Sequence, residues 1–317
     1  MNVLSLFDGI SCGRVALERA NIKIDNYIAS EIDTYALQIA NKNYPTNIQV
    51  GDVRYLRYEN GVLYVHNKQV FVGKIDMLLG GSPCQSLSFA GRKKGMITTT
   101  NEEILSLEDY IKYKEEDYEF EGQSYLFWEY VRLLQEIQPK YFLLENVNMQ
   151  EHWRNVITKA LGIDPVRINS NLLSAQNRDR LYWTNIREGK IEQPADRGIV
   201  LEDILDKESD TFQYELSVQR LTTFLNPNIK YGNWKECALN GKSLPLLASY
   251  YKQPLYATYI ISKVSESGYR RLSPLECERL QTLPDNYTKG VSNTQRYKCI
   301  GNGWTVDVIV YILSHIK

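Results

Sequence analysis

Cys84, Glu145 and the pair Arg178 and Arg180 are the residues of this 317-residue chain whose types and settings could do chemistry. Cys84 follows the apolar run Ile75-Asp76-Met77-Leu78-Leu79 in the sequence Gly80-Gly81-Ser82-Pro83-Cys84-Gln85. A buried cysteine ordinarily behaves as a small hydrophobe. Here glycines and a proline instead hold the thiol on a loop at the C-terminal end of a strand. Glu145 closes a second apolar run, Tyr141-Phe142-Leu143-Leu144. A carboxyl there is costly to bury without a partner, so it is either half of an ion pair or a site acid. Arg178 and Arg180 stand two apart on a presumed strand, which puts both side chains on one face.

Three further positions suggest a ligand. The first strand runs into Phe7-Asp8-Gly9-Ile10-Ser11-Cys12-Gly13 and then a helix. Such a turn brings backbone close to a ligand and aims helix N–H groups at it. Glu31 ends the second strand, where an acid accepts from ribose hydroxyls. Asp52 follows the third, in Gly51-Asp52-Val53, placed to accept from an adenine amino group. Successive strand ends of this kind suggest an adenosine-containing cofactor. The glycine spacing is not GxGxxG and no basic cluster awaits a pyrophosphate, which favours S-adenosylmethionine over NAD.

The elements that would position these groups are βα units. Short apolar runs predict strands at 2–6, 26–30, 47–50, 75–79, 140–144, 165–169 and 181–185, and periodicity predicts helices at 12–20, 33–43, 125–137 and 150–161. The fold class is α/β with a mostly parallel, Rossmann-like sheet. Residues 61–72 read as a hairpin turning at Asn67-Lys68, and the acidic 97–121 stretch as a surface insertion with a solvated charged face. From 188 to 268 the βα rhythm gives way to tyrosines, prolines and short polar runs, a smaller irregular domain. Apolar periodicity returns at Ser273-Pro274, a good helix start, and at 304–315, whose helix is expected to rejoin the first domain. The domains are therefore 1–187 with 269–317, and 188–268.

Composition bounds the alternatives. No apolar run reaches the roughly 18 residues needed to span a bilayer. The N-terminus has no signal-peptide layout, so a cytoplasmic protein is expected. Five scattered cysteines without a CxxC pair argue against a disulfide framework and a structural zinc site, and no metal is expected. The net charge of −1 looks wrong for a nucleic-acid binder, but residues 101–121 carry nine acids against two lysines, leaving the remainder at +6. Charge is neutral on that question.

Taken in order, Gly81-Ser82-Pro83-Cys84-Gln85, Glu145-Asn146-Val147 and Gln176-Asn177-Arg178-Asp179-Arg180 resemble the core motifs of the DNA (cytosine-5)-methyltransferases. The opening Phe-x-Gly turn, the 271–281 segment (Arg271-Leu272-Ser273-Pro274 through Gln281) and Gly301-Asn302-Gly303 also fall where that family has motifs. The resemblance runs from residue 3 to about 312, outside the insertions and 188–268. Ser11 and Cys12 stand where the family is richer in glycine. With Ala29-Ser30-Glu31-Ile32 and Gly303-Trp304-Thr305-Val306, they are similar to the de novo branch.

The resemblance implies methyl transfer from S-adenosylmethionine to carbon 5 of cytosine in double-stranded DNA. Cys84 would add to C6 and make C5 nucleophilic. Glu145 would serve N3 if burial raises its pKa. Arg180 would contact O2, with Arg178 holding the network and helping depress the thiol pKa. Phe7, Asp8, Gly9, Ile10, Glu31 and Ile32 would line the cofactor pocket. So would Asp52, Val53, Pro83, Leu126, Asn302 and Trp304. The target base must be flipped out, and Ser88, Arg92, Lys93 and Lys94 would contact the DNA. Residues 188–268 would be the target-recognition domain. A monomer is expected, and a restriction endonuclease acting on the same site is the partner to look for. The rival readings are the same chemistry on a tRNA cytosine, a non-catalytic regulatory paralogue, and an NAD-binding oxidoreductase, which would leave the Pro-Cys-Gln and Gln-x-Arg-x-Arg segments without purpose.

Overall fold

Alternation along the first strands makes a sheet that is buried on both faces. In β1 (Asn2–Leu6), Leu4 and Leu6 point into one apolar cluster and Val3 into another. Successive strand residues face opposite ways, so such near-continuous apolar strands need cover on both sides. The computed structural model describes residues 1–84, 86–87, 95–206, 214–225, 235–236, 238–254, 256–261 and 266–316.

The central sheet also contains β2 (Asn26–Ser30) and β3 (Ile48–Gln49). A separate three-stranded sheet, β4 (Leu56–Glu59), β5 (Val62–Val65) and β6 (Lys68–Val72), follows. The chain then returns to the central sheet with β7 (Met77–Gly80), β8 (Tyr141–Val147), β9 (Val166–Asn169) and β10 (Asp179–Thr184). The order is β3-β2-β1-β7-β8-β10-β9, with only β10 running against its neighbours. The direction of winding reverses between β1 and β7, and open α/β sheets bind ligands at the carboxyl ends of strands flanking such a switch. Phe7 to Gly9 follow β1 there, and Gly81 to Cys84 follow β7.

One face of the sheet is covered by α1 (Cys12–Arg19), α2 (Thr34–Asn43) and the final helix, whose Val308, Ile309 and Ile312 pack beside Val15 and Ala16 of α1. Asp33 caps α2 by accepting from the N–H groups of Tyr35 and Ala36. The opposite face carries α3 (Leu107–Glu115), α4 (Phe127–Ile137) and α5 (Glu151–Leu161). On α4, Phe127, Tyr130, Leu133 and Ile137 are buried at the spacing expected of one helix face.

Two expectations need correction. The insertion at 61–72 is part of a three-stranded sheet, not a lone hairpin, and its second turn lies at His66 and Asn67, both left-handed, a pairing that suits a tight two-residue turn. The acidic segment is more than a solvated face. Met96, Ile97, Ile104, Leu107 and Tyr110 enter the core, and the fully buried Glu129 of α4 accepts from Tyr110 at 2.5 Å and pairs with Lys114 at 2.8 Å and Arg132 at 2.7 Å. Sequence polarity reported the outer surface of this segment and hid its inner one.

Within 188–268 lie α6 (Leu201–Ile204), α7 (Val218–Leu225), β11 (Lys235–Glu236) and β12 (Thr258–Ile261); β13 (Tyr269–Arg271) then completes a second three-stranded sheet. Its apolar residues, such as Leu246, Tyr250 and Tyr259, share one cluster with Cys277 and Leu280 of α8 (Pro274–Leu280) and Tyr297 and Ile300 of α9 (Asn293–Asn302). Ser273 and Glu276 form a capping box at the start of α8, with Pro274 at its first position. The final helix is α10 (Val306–Leu313). Among the described residues, no helix is long and apolar enough to cross a membrane.

Candidate active site

A cavity of about 650 Å³ opens at the switch point and gathers side chains that lie far apart in the sequence. Its size suits a small-molecule site. The antiparallel run of β10 explains how the arginines reach it. Arg180 sits opposite Val147, and Tyr182 opposite Glu145, so the start of β10 lies at the edge where β8 ends. Arg180 and Glu145 are therefore diagonal neighbours on one face, and Arg180 Nε meets Glu145 Oε1 at 2.9 Å. Of the two readings its sequence position allows, half of an ion pair or a site acid, the structure shows the pair with Arg180.

Arg178 is held differently. Its guanidinium donates to the carbonyls of Leu246 at 3.0 Å, Gly301 at 3.2 Å and Gly303 at 3.0 Å, so three backbone oxygens surround a buried cation. Burial, reinforced by Arg180, lowers its pKa to about 10 against the pull of Glu145.

Cys84 lines the same cavity, on the loop after β7. Asn146 donates to Ser82 Oγ at 3.1 Å and ties that loop to β8. A Cβ at Gly81 would come within 2.8 Å of the Trp304 ring nitrogen and 3.3 Å of Glu145 Oε2, so the loop passes close to both. Burial pushes the Cys84 thiol above its ordinary 9.0 and Glu145 pushes it further; Arg180 and Arg178 pull it down without prevailing. The net shift is upward, although Arg178 pulls in the direction expected of it. Cys84 rests as the thiol at neutral pH.

The other end of the cavity carries the residues expected to hold the cofactor. Phe7, Gly9 and Ser11 all have positive φ, at 55°, 59° and 61°. For a bulky residue such as Phe7 that is a strained conformation of the kind that gathers at functional turns. Glu31 fixes the turn, accepting from the Gly9 N–H at 2.8 Å and from those of Ile32 and Asp33 at 2.7 Å each. Asp52 is clasped by Arg54, with Nε at 3.1 and 3.0 Å from its two oxygens; burial alone would raise this carboxyl, but Arg54 holds it below the usual range. Asp8 also lines the cavity, and the hydroxyls of Tyr27 and Ser11 each donate to its carboxyl at 2.6 Å. Ile10, Val53, Pro83, Leu126 and Trp304 supply apolar wall, while Ile32 and Asn302 lie exposed at the rim. The lining fits an adenosine-bearing cofactor: fixed carboxylates that accept hydrogen bonds end two adjacent strands, and a Cβ at Gly9 would meet nothing within 4 Å.

A profile of the C-5 cytosine-specific DNA methylases matches residues 1–317. The chain belongs to that family. It is a DNA (cytosine-5)-methyltransferase, and its methyl donor is S-adenosylmethionine. The chain is 26% identical to the type II methyltransferase M.HpaII of Haemophilus parainfluenzae, over 96% of this chain and 86% of that one. It is likewise 26% identical to the type II methyltransferase M.NlaX of Neisseria lactamica, over 99% and 96%. Among solved structures, S. pombe Dnmt2 superposes with a TM-score of 0.71 at 18% identity, covering 99% of this chain and 97% of that one. A putative DNA modification methyltransferase from an E. coli prophage gives 0.64 at 19%, covering 99% and 98%. At such identities the likeness to solved structures is one of fold.

All sixteen residues named above for catalysis and the cofactor line the methyltransferase's cavity. Ser88, Arg92, Lys93 and Lys94 lie outside the described residues. Sequence reasoning missed the Arg54 clasp on Asp52, the Lys298–Asp33 pair at 2.6 Å on the cavity edge, and the wall formed by Leu246, Leu247 and Ala248. The first could have been found from the two-residue spacing. The last carries no signal, because three apolar residues in an irregular segment look like ordinary core.

Proposed function

We propose that Cys84, Glu145, Arg178 and Arg180 carry out this reaction on a cytosine flipped out of duplex DNA, through a transient bond between Cys84 Sγ and C6. The convergence of these four groups on one cavity with Glu31 and Asp52 carries the reading. The thiol passes its proton to the Glu145 carboxylate as the S–C6 bond forms, and the nearby charges of Arg180 and Arg178 favour that loss. The C5–C6 π electrons shift towards N3, which takes or shares the proton that the Glu145 carboxylate received from the thiol, with Glu145 oriented by its contact with Arg180. Arg180, which lines the cavity, would contact O2 and stabilise the negative charge that develops there. Carbon 5 is thereby made nucleophilic. When bound, S-adenosylmethionine supplies an electrophilic methyl group. Phe7, Leu126 and Trp304 would hold its apolar surface, with Glu31 and Asp52 on its polar groups. After methylation the C5 proton leaves to water, its electrons restore the C5–C6 double bond, Cys84 departs as thiolate, and the N3 proton returns through Glu145 to the sulfur.

In this reading 188–268 is the target-recognition domain, and Ser88, Arg92, Lys93 and Lys94 contact the duplex. The protein acts as a cytoplasmic monomer, beside a restriction endonuclease that reads the same site. Duplex DNA with 5-fluorocytosine at the target cannot lose its C5 substituent. A denaturation-resistant protein–DNA adduct should therefore accumulate with wild type and vanish with Cys84→Ser. An adduct that survives Cys84→Ser, or methyl transfer to bulk tRNA but not to duplex DNA, would overturn the reading.

A further inference from the structure

Gln176 and Gln281 are fully buried and take no part in the chemistry proposed above. Their amides nonetheless have partners on every side. Gln281 Nε2 donates to the carbonyls of Ile300 at 3.0 Å and Gly303 at 3.1 Å, while its oxygen accepts from Thr305 Oγ1 at 2.8 Å and Gln176 Nε2 at 3.1 Å. Gln176 in turn donates to the Leu280 carbonyl at 3.3 Å and accepts from the Leu246 N–H at 2.7 Å. A buried polar network satisfied this completely is rigid.

The network joins two walls of the cavity. Leu246 is gripped through its N–H by Gln176 and through its carbonyl by Arg178. Gly303 is gripped through its carbonyl by Gln281 and by Arg178. The walls also meet backbone to backbone, since a Cβ at Gly301 would lie 2.5 Å from Ala248 N and 2.6 Å from the Leu247 carbonyl carbon. A further backbone bridge joins Gln176 to Ser243. One wall, residues 246–248, belongs to the small domain; the other, residues 301–304, carries Asn302 and Trp304 on the cofactor side.

We propose that Gln176 and Gln281 are positioning residues that lock these walls together, so that filling the cofactor side of the cavity tightens the small domain's hold on DNA. The inference rests on the reading that 188–268 contacts the duplex. Gln281→Leu keeps the bulk of the side chain and leaves Arg178 bridging both walls, so the fold should persist while the second tie is lost.

The test measures affinity for a duplex carrying the protein's own methylation site, with and without saturating S-adenosylhomocysteine. In wild type the cofactor product should tighten duplex binding on the order of tenfold. In Gln281→Leu and Gln176→Leu the gain should fall below about twofold. A purely structural lesion would weaken each affinity and leave their ratio as in wild type, which would overturn the proposal, as would a wild-type ratio of one. Wild type that binds no duplex at all would instead overturn the functional reading beneath it. If the glutamine variants do not fold, Thr305→Val removes only the 2.8 Å bond to Gln281. It should at least halve the ratio, and an unchanged ratio overturns the proposal.

Discussion

Replacing Asp8 with asparagine should flatten the dependence of folding stability on pH below neutrality. Both oxygens of Asp8 accept from buried hydroxyls, those of Ser11 and Tyr27, yet burial still raises the carboxyl from 3.8 to about 6. A raised pKa in the folded state means that the native protein binds this proton more tightly than the unfolded chain does. The stabilisation is complete below about pH 3.8 and is lost as pH rises through about 6. Roughly two pH units correspond to ~3 kcal/mol, at most about 1.4 kcal/mol per unit between pH 4 and 6. Asparagine is neutral throughout, and it can still accept from Tyr27 while donating to Ser11. Urea denaturation of both proteins from about pH 4 to about pH 8 gives the difference directly. Wild-type stability minus that of Asp8→Asn should fall by ~3 kcal/mol across this range. A difference constant to within about 0.5 kcal/mol, or one that rises with pH, would refute the assignment of a proton to Asp8.

Three other substitutions test the cavity and its walls. Alkylation of Cys84 by iodoacetamide, read by mass spectrometry on its own peptide, should still be accelerating above pH 9.0, the ordinary value of a thiol. Glu145→Gln should speed it at fixed pH and Arg180→Gln should slow it, because one removes an anion and the other a cation from beside the sulfur; the reverse order would contradict the electrostatic account of the thiol. Gly301→Ala should lower the melting temperature even though alanine favours a helix interior by ~1 kcal/mol. Its methyl would meet the backbone of Leu247 and Ala248 below 3.0 Å, an overpacking worth roughly 1–3 kcal/mol or more, and an unchanged or raised melting temperature would show that the two walls can part at no cost.

Local sequence determined the parts of this protein that depend only on neighbouring residues. Apolar runs such as Val3-Leu4-Ser5-Leu6 give strands wherever they fall between turns, and Ser273, Pro274 and Glu276 start α8 by hydrogen bonds confined to one turn. The strand-end positions of Glu31, Asp52, Cys84 and Glu145 were legible for the same reason, since a parallel sheet brings strand ends to one edge. What the sequence could not decide was anything set by distant partners. Only the antiparallel insertion of β10 beside β8 joins Arg180 to Glu145. Only the close approach of 246–248 to 301–303 surrounds Arg178 with three carbonyls. The thiol's proton affinity likewise reflects a balance of burial against three charged groups, and that balance exists only once the chain has closed around it. The acidic segment shows the same division: its charges were plain in the sequence, but the inner face that docks Tyr110 and Lys114 on Glu129 was created by packing.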